Sequence, residues 1–359
     1  VDVVVTLSHG GMNILKLHLE PLDGELTEEN NSVLLQINAI RDRLRVLLVS
    51  GEPHPGTRTW RNLLKSDSSV DLVHFTILRP PGKQDGVPVD ELSLIAFPTR
   101  ELFLEKIDDF DLIIFDRYKR RGILPASYLD NIARYVENGG AVLVSAGPDF
   151  ATVNSLYRSP LGRVLPVEPT SRIISKPFVP RLSEDGARHP VSADLPSPDT
   201  WGRWFQQVQV VPKSGNVLMT GAEEQPLLIL DRVGKGRISL IASDHTWLWD
   251  RKFEGGGPQL ELLRRLAHWM MGEPELEEEA LIAEQLDGDV RILCRTMGEA
   301  PSEVVITSPS GEISQHAFAP RPKNGGYEAI FEIGEQGLFR MQAAGLNGVF
   351  AIGPASPKE

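Results

Sequence analysis

A single cysteine, Cys294, is all that this 359-residue chain contains, so an internal disulfide is excluded and the fold must rest on its core. Cys294 alternates with Val290 and Ile292 and is expected as a small buried strand residue. No window approaches the ~18 consecutive apolar residues of a membrane-spanning helix. The start has neither the basic region nor the apolar stretch of a secretory leader. It opens at Val1, without Met and inside a strand-like pattern, and reads as an excised or mature piece of something longer. Positive charge is also short: 37 Lys and Arg stand against 49 Asp and Glu, a net charge of -12. Nucleic-acid binding needs a concentrated basic face, so no nucleic-acid partner is expected. The one basic run, Lys119-Arg120-Arg121, is expected to be a solvated loop.

The most telling absence lies in Ala141-Val-Leu-Val-Ser-Ala-Gly-Pro-Asp-Phe150. This is a buried strand running into a sharp turn, the place where a strand–turn–helix enzyme presents its nucleophile. The turn carries Ala146, Gly147 and Pro148, none of which has a reactive side chain.

With 41% hydrophobic and 24% charged residues the chain is globular, and its length predicts two or three domains. Residues 1–43 read as a β segment with short runs at Val1–Thr6, Ile14–Glu20 and Val33–Ile37. In the second run Leu15, Leu17 and Leu19 alternate with polar residues, the period of a half-buried strand. Such a segment completes an immunoglobulin-like domain or packs on another one, since three strands make a poor independent core. From residue 44 to 273 the pattern becomes α/β. Apolar strands Val46–Val49, Asp71–Leu78, Asp111–Phe115 and Ala141–Val144 alternate with helices at Thr57–Lys65 and after Pro125. The second helix puts Leu129, Ile132, Ala133 and Val136 on one face, and Gly139-Gly140 stop it. This pattern predicts a doubly wound, mostly parallel sheet covered on both faces. A Pro-rich loop spans Pro80–Pro88, and the Pro-rich stretch Ser159–Gly215 reads as an excursion from the sheet. Leu227–Leu230 and Arg237–Ala242 are two further strands around Val233-Gly-Lys-Gly236. A helix Pro258–Met271 then turns Leu260, Leu263, Leu266 and Met270 inward. After the acidic linker Glu273–Glu279, residues 281–353 hold six or seven short strands, with turns such as Ser308–Gly311 and Lys323–Gly326, the spacing of a small β-sandwich.

Four stretches carry a resemblance: Arg45-Val-Leu-Leu-Val-Ser-Gly-Glu-Pro53 with Trp60 and Leu63-Leu64; Tyr135–Val144; Ser159–Pro166; and Gly236-Arg-Ile-Ser-Leu-Ile-Ala-Ser-Asp-His-Thr-Trp-Leu-Trp249. In this order, residues 44–272 resemble the class I glutamine amidotransferase fold, a flavodoxin-like sheet. They are more similar still to the amidotransferase-like domains of bacterial membrane proteins that also carry von Willebrand A and immunoglobulin-like regions. The resemblance implies a cysteine on a strained elbow, activated by a His-X-Glu pair. Here the elbow falls at Ala146 or Gly147, the histidine matches His245, and Trp247 stands where the glutamate belongs. It also implies a place in the cell envelope, on the periplasmic face of the inner membrane, with membrane spans outside this chain.

Other groups collect at expected strand ends. Asp244 and His245, with Trp247 and Trp249, lie where open α/β sheets place ligand crevices; Asp244 capping the next turn, with the tryptophans filling space, is the plainer reading. His54, between prolines, reads as exposed or as a crevice residue. Asp116, Asp149 and Asp244 end three strands and, if convergent with a histidine, would suit a divalent cation. Trp201-Gly-Arg-Trp-Phe205 is a contact surface or packing for the excursion. The reading is a non-catalytic interaction or structural module in a membrane-associated assembly with a protein partner, with no cofactor and no resident metal. Two alternatives remain: a hydrolase or amidotransferase using His245 with Ser145, and a carbohydrate- or peptide-binding module.

Overall fold

In the computed structural model, residues 4–5, 11–20, 31–39, 43–76, 98–120, 122–286, 288–321 and 326–353 are described. The run Val1–Thr6, apart from Val4 and Val5, the loop Pro80–Pro88, Arg121 and most of the turn Lys323–Gly326 lie outside them. The chain divides into two compact units: Val1–Arg41 with Arg188–Pro190 and Glu273–Glu359, and Asp42–Ala187 with Val191–Gly272. The architecture is α/β plus β.

In the first unit, β1 (Gly11–His18) and β2 (Ser32–Ala39) form an antiparallel hairpin. Gln36 Nε2 donates to Ala351 O at 2.9 Å, so the hairpin and the C-terminal strands of this unit touch.

The second unit holds β3 (Leu44–Ser50), α1 (Thr57–Ser66), β4 (Val70–Thr76), β5 (Leu112–Asp116), α2 (Ala126–Asn138), β6 (Ala141–Ser145), β7 (Val167–Ile174), β8 (Arg181–Leu182), α3 (Glu184–Arg188), β9 (Gln207–Pro212), β10 (Asn216–Thr220), β11 (Pro226–Val233), β12 (Gly236–Ile241), α4 (Trp247–Asp250) and α5 (Gln259–Met270). Eight strands make one mixed sheet in the order β4-β3-β5-β6-β12-β11-β10-β8. The first five are parallel to one another and the last three antiparallel to their neighbours. Strands β3, β5, β6 and β12 are buried on both faces, which is why they read as near-unbroken apolar runs, whereas the edge strand β4 is only half-buried. Leu47, Val49, Ile113, Phe115, Val142 and Val144 pack with Leu129, Ile132 and Val136 of α2 on one face. Val46, Leu48, Ile114 and Leu143 are fully buried on the other, the side left to α1 and α5, which contact each other. Leu263, Leu266 and Met270 of α5 are buried as expected, but Leu260 is 60% exposed. The inward face runs through Gln259, Leu262, Leu263, Leu266, Trp269 and Met270, and Leu260 falls outside that stripe.

The chain leaves β3 toward β4 on one side and returns to β5 on the other. Strand order therefore reverses between β3 and β5, and such a point opens a crevice at the carboxyl ends. The excursion is more regular than its composition implied: β7 and β9 pair with a register shift between Pro169 and Ile173, and β8 joins the main sheet.

The strands after the acidic linker, β13 (Ala280–Gln285), β14 (Asp289–Arg295), β15 (Glu303–Thr307), β16 (Ile313–Ala317), β17 (Ala319–Pro320), β18 (Tyr327–Glu332), β19 (Gly337–Ala343) and β20 (Leu346–Ile352), form two four-stranded sheets, β13-β14-β18-β17 and β16-β15-β19-β20. Both feed one core: Ile292 and Ala329 from the first meet Ile306, Met341 and Phe339 from the second, and Phe339 stacks on Phe350 at 4.9 Å. Cys294 is buried beside this core, and burial pushes its thiol up to about 11, which leaves it unreactive at neutral pH.

Candidate functional site

Four loops meet at the carboxyl edge of the parallel strands, and their charged groups pair across it. After β3, His54 turns inward instead of standing exposed between its prolines; its side chain is 2% exposed. His54 Nδ1 accepts the Gly56 N–H at 3.2 Å, so Nε2 carries the proton and donates to Asp116 Oδ2 at 2.9 Å. Asp116 ends β5 with no exposure, and its Oδ1 has no hydrogen-bond partner among the described residues. Arg117 follows with φ of +48°, a left-handed conformation costing a non-glycine residue on the order of 1 kcal/mol. That turn sends its side chain across to Asp244 after β12, with Nη1 3.1 Å from Oδ2. Lys119 reaches Asp149 at 2.8 Å and Glu52 at 3.7 Å.

The three aspartates therefore do not converge on a cation site. Each is held by its own base: Asp116 by His54, Asp244 by Arg117, Asp149 by Lys119. Among the described residues no group of three or more metal-ligating side chains forms. Asp244 caps no turn, because the guanidinium holds it. Of the basic run, Lys119 and Arg120 are engaged rather than solvated, since Arg120 donates to the carbonyls of Arg158 and Val153; Arg121 lies outside the described residues.

At the elbow, the ladder continues where a nucleophile would leave it. Arg117 N–H donates to Ser145 O at 2.9 Å and Ala146 N–H donates to Ile241 O at 2.9 Å. Ser145 is 1% exposed and Ala146 2% exposed. Gly147 sits at φ -89°, ψ -176°, ordinary extended backbone without the strain that lifts a nucleophile from a sheet. The space above it is taken: a Cβ on Gly147 would lie 2.5 Å from Arg117 Cγ. His245 points elsewhere, its Nδ1 accepting the Phe205 N–H at 3.2 Å and its Nε2 lying 3.8 Å from Asp244 Oδ1. Burial holds its pKa below the usual histidine value, helped by the charges of Arg117 and His54 and opposed by Asp244. Nothing links it to Ser145.

A second serine–histidine pair gave no sequence signal, because its members come from neighbouring strands. Ser50 Oγ lies 3.0 Å from His74 Nε2. Ser50 is 1% exposed, and the adjacent Gly51 N–H already donates to Asp116 O at 2.8 Å, so neither access nor a free oxyanion donor is present there.

Of the two tryptophans assigned to a cleft wall, Trp247 is half-buried beside His245, with ring centroids 6.1 Å apart, and Arg251 stacks on it. Trp249 is a core residue, 2% exposed, packed between Trp201 and Trp204 with its Nε1–H on Gly202 O at 2.8 Å. The Trp201–Phe205 cluster accordingly packs the excursion inward, with Trp201 and Trp204 both buried.

No family model matches this chain, and no curated protein matches it. Among solved structures it is similar to a cytoplasmic protein of Salmonella typhimurium at 16% identity, covering 73% of this chain and 96% of that one, with a TM-score of 0.46. A second cytoplasmic protein, from strain LT2 of the same organism, matches at 15% identity over 63% of this chain and 99% of that one, with a TM-score of 0.44.

Proposed function

We propose that the chain is a non-catalytic interaction or structural module, with an amidotransferase-like α/β unit of flavodoxin-like strand order, that serves a protein partner in a bacterial envelope assembly. The strand order β4-β3-β5-β6-β12, second-first-third-fourth-fifth in the chain, supports the flavodoxin-like part. One observation supports the non-catalytic part: the Arg117 side chain, tied to Asp244, lies over Gly147, where an acyl-transfer enzyme would set its nucleophile. A buried serine in an unbroken ladder and a histidine bonded to a backbone amide add no substitute. Envelope location and a protein partner follow only from the resemblance to membrane-protein domains. The direct test is ammonia release from glutamine by the purified chain, compared with His245→Asn. The reading expects no release above the buffer rate from either; turnover that His245→Asn abolishes would overturn it.

A second reading, a binding module for a carbohydrate or peptide, has its own support. Four buried polar atoms on the β3–α1 and β5 segments, Asp116 Oδ1, Arg117 Nε, Thr57 Oγ1 and Trp60 Nε1, have no hydrogen-bond partner among the described residues. Buried polar atoms are rarely left so, and these four include both donors and acceptors. Saturable change in tryptophan emission on titration with envelope glycan fragments, lost in Asp116→Asn, is the result that favours it.

A further inference from the structure

A cavity of about 450 Å³ opens between α1, the turn into β4, and α5, on elements away from the carboxyl-edge ion pairs. Its size falls in the range of small-molecule sites. Leu63, Leu64, Val70 and Ala267 give it an apolar lining, and the exposed Leu260 stands beside them.

The polar lining holds two carboxylates, Asp67 and Glu261, and one guanidinium, Arg264, which differ in how far they are already engaged. Asp67 Oδ1 accepts from Ser69 N–H at 3.0 Å and Ser69 Oγ–H at 2.6 Å, and its Oδ2 faces His268 Nε2 at 2.7 Å. Partial burial works against the Asp67 charge, but these hydrogen bonds outweigh it and hold the pKa below the usual carboxylate value. Glu261 Oε1 is taken by Arg265 Nε at 2.7 Å. Arg264 differs: its guanidinium approaches Glu261 only at 3.6 Å, with 55% of the side chain exposed. With five N–H donors and one long contact, it keeps most of its capacity for a planar anion.

We propose that this cavity binds a small monocarboxylic acid with an apolar tail, its carboxylate on Arg264 and its tail against Leu63, Leu64, Val70 and Leu260. A carboxylate satisfies the one group with spare donors. An ammonium would find both Asp67 oxygens and Glu261 Oε1 engaged, and the remaining Glu261 Oε2 faces the like charge of Arg264 at 3.6 Å. The proposal does not depend on the reading of the carboxyl edge.

Octanoate titrated into the full chain, followed by calorimetry, is the test, with octylamine and octan-1-ol as matched tails. The expected result is saturable octanoate binding that Arg264→Gln weakens by roughly 10-fold or more, the value of a charged hydrogen bond. Leu260→Ser, at an exposed position, weakens it by a smaller factor. Equal binding of octylamine or octan-1-ol, unchanged affinity in Arg264→Gln, or no saturable octanoate binding at millimolar concentration would each overturn it.

Discussion

Replacing Arg117 by Met keeps an aliphatic stem over Gly147 but removes the guanidinium that faces Asp244 at 3.1 Å. Asp244 is 4% exposed, so the variant strands a desolvated carboxylate. Removing one partner of a buried pair costs about 3–5 kcal/mol. Arg117 is itself 25% exposed, so water reaches the pair and the low end, about 3 kcal/mol, applies. For a unit of this size that is a fall in Tm of roughly 6–12 °C. All six tryptophans lie between Trp60 and Trp269, inside the α/β unit, so tryptophan emission follows this unit alone. Adding Asp244→Asn to Arg117→Met removes the stranded charge and should recover at least half of the loss, a non-additivity expected of groups in contact. If Arg117→Met melts within about 2 °C of the parent, the pair is not desolvated and the reasoning fails.

Three further outcomes follow from the same geometry. His245 and His74 are both held below the usual histidine value, each chiefly by burial, with Arg117 and His54 adding for the first and Arg61 and Lys65 for the second; Asp244 and Asp116 oppose. The unfolded chain therefore takes up these protons first, so stability is full above about pH 7 and falls as pH drops below about 6.5. Thermal melts at pH 7.5 and 5.5 should show that fall, and a His74→Gln, His245→Asn double variant should flatten it; a Tm that rises on acidification contradicts the assignment. Gly56→Ala places a Cβ 2.5 Å from His54 Cε1 and 3.2 Å from Trp247 Cδ1 on helical backbone that alanine tolerates, so crowding alone should cost about 1–3 kcal/mol and shift tryptophan emission. Trp249→Phe loses the hydrogen bond to Gly202 O and part of the packing against Trp201 and Trp204, and chemical denaturation should register a loss of roughly 2 kcal/mol.

Much of the parallel core was legible because β3, β5 and β6 are buried on both faces, and a run such as Leu112-Ile-Ile-Phe115 has no amphipathic alternative. Helix α2 was legible for the opposite reason, a single apolar face closed by Gly139 at φ +130°. Periodicity places Leu260 one step too far round the α5 stripe, and it carries no trace of irregular pairing such as that between β7 and β9. At the site, the aspartates and His54 stood out as polar residues just past apolar strands. Their partners did not, because Arg117 and Asp244 are brought together only by the β5-β6-β12 order. Arg117 directly follows a strand-ending aspartate, the one local signal that sets it apart from the adjacent basic run. Ser50 and His74 carried no local signal at all, since register between β3 and β4 sets their contact.

Covalent labelling puts the account to its most direct test. The purified chain is incubated with an electrophilic glutamine analogue and its intact mass measured, alongside Ser145→Ala and His245→Asn. With an ion pair in place of a nucleophile, all three masses stay unchanged. A single adduct on the parent that either substitution removes would contradict the account.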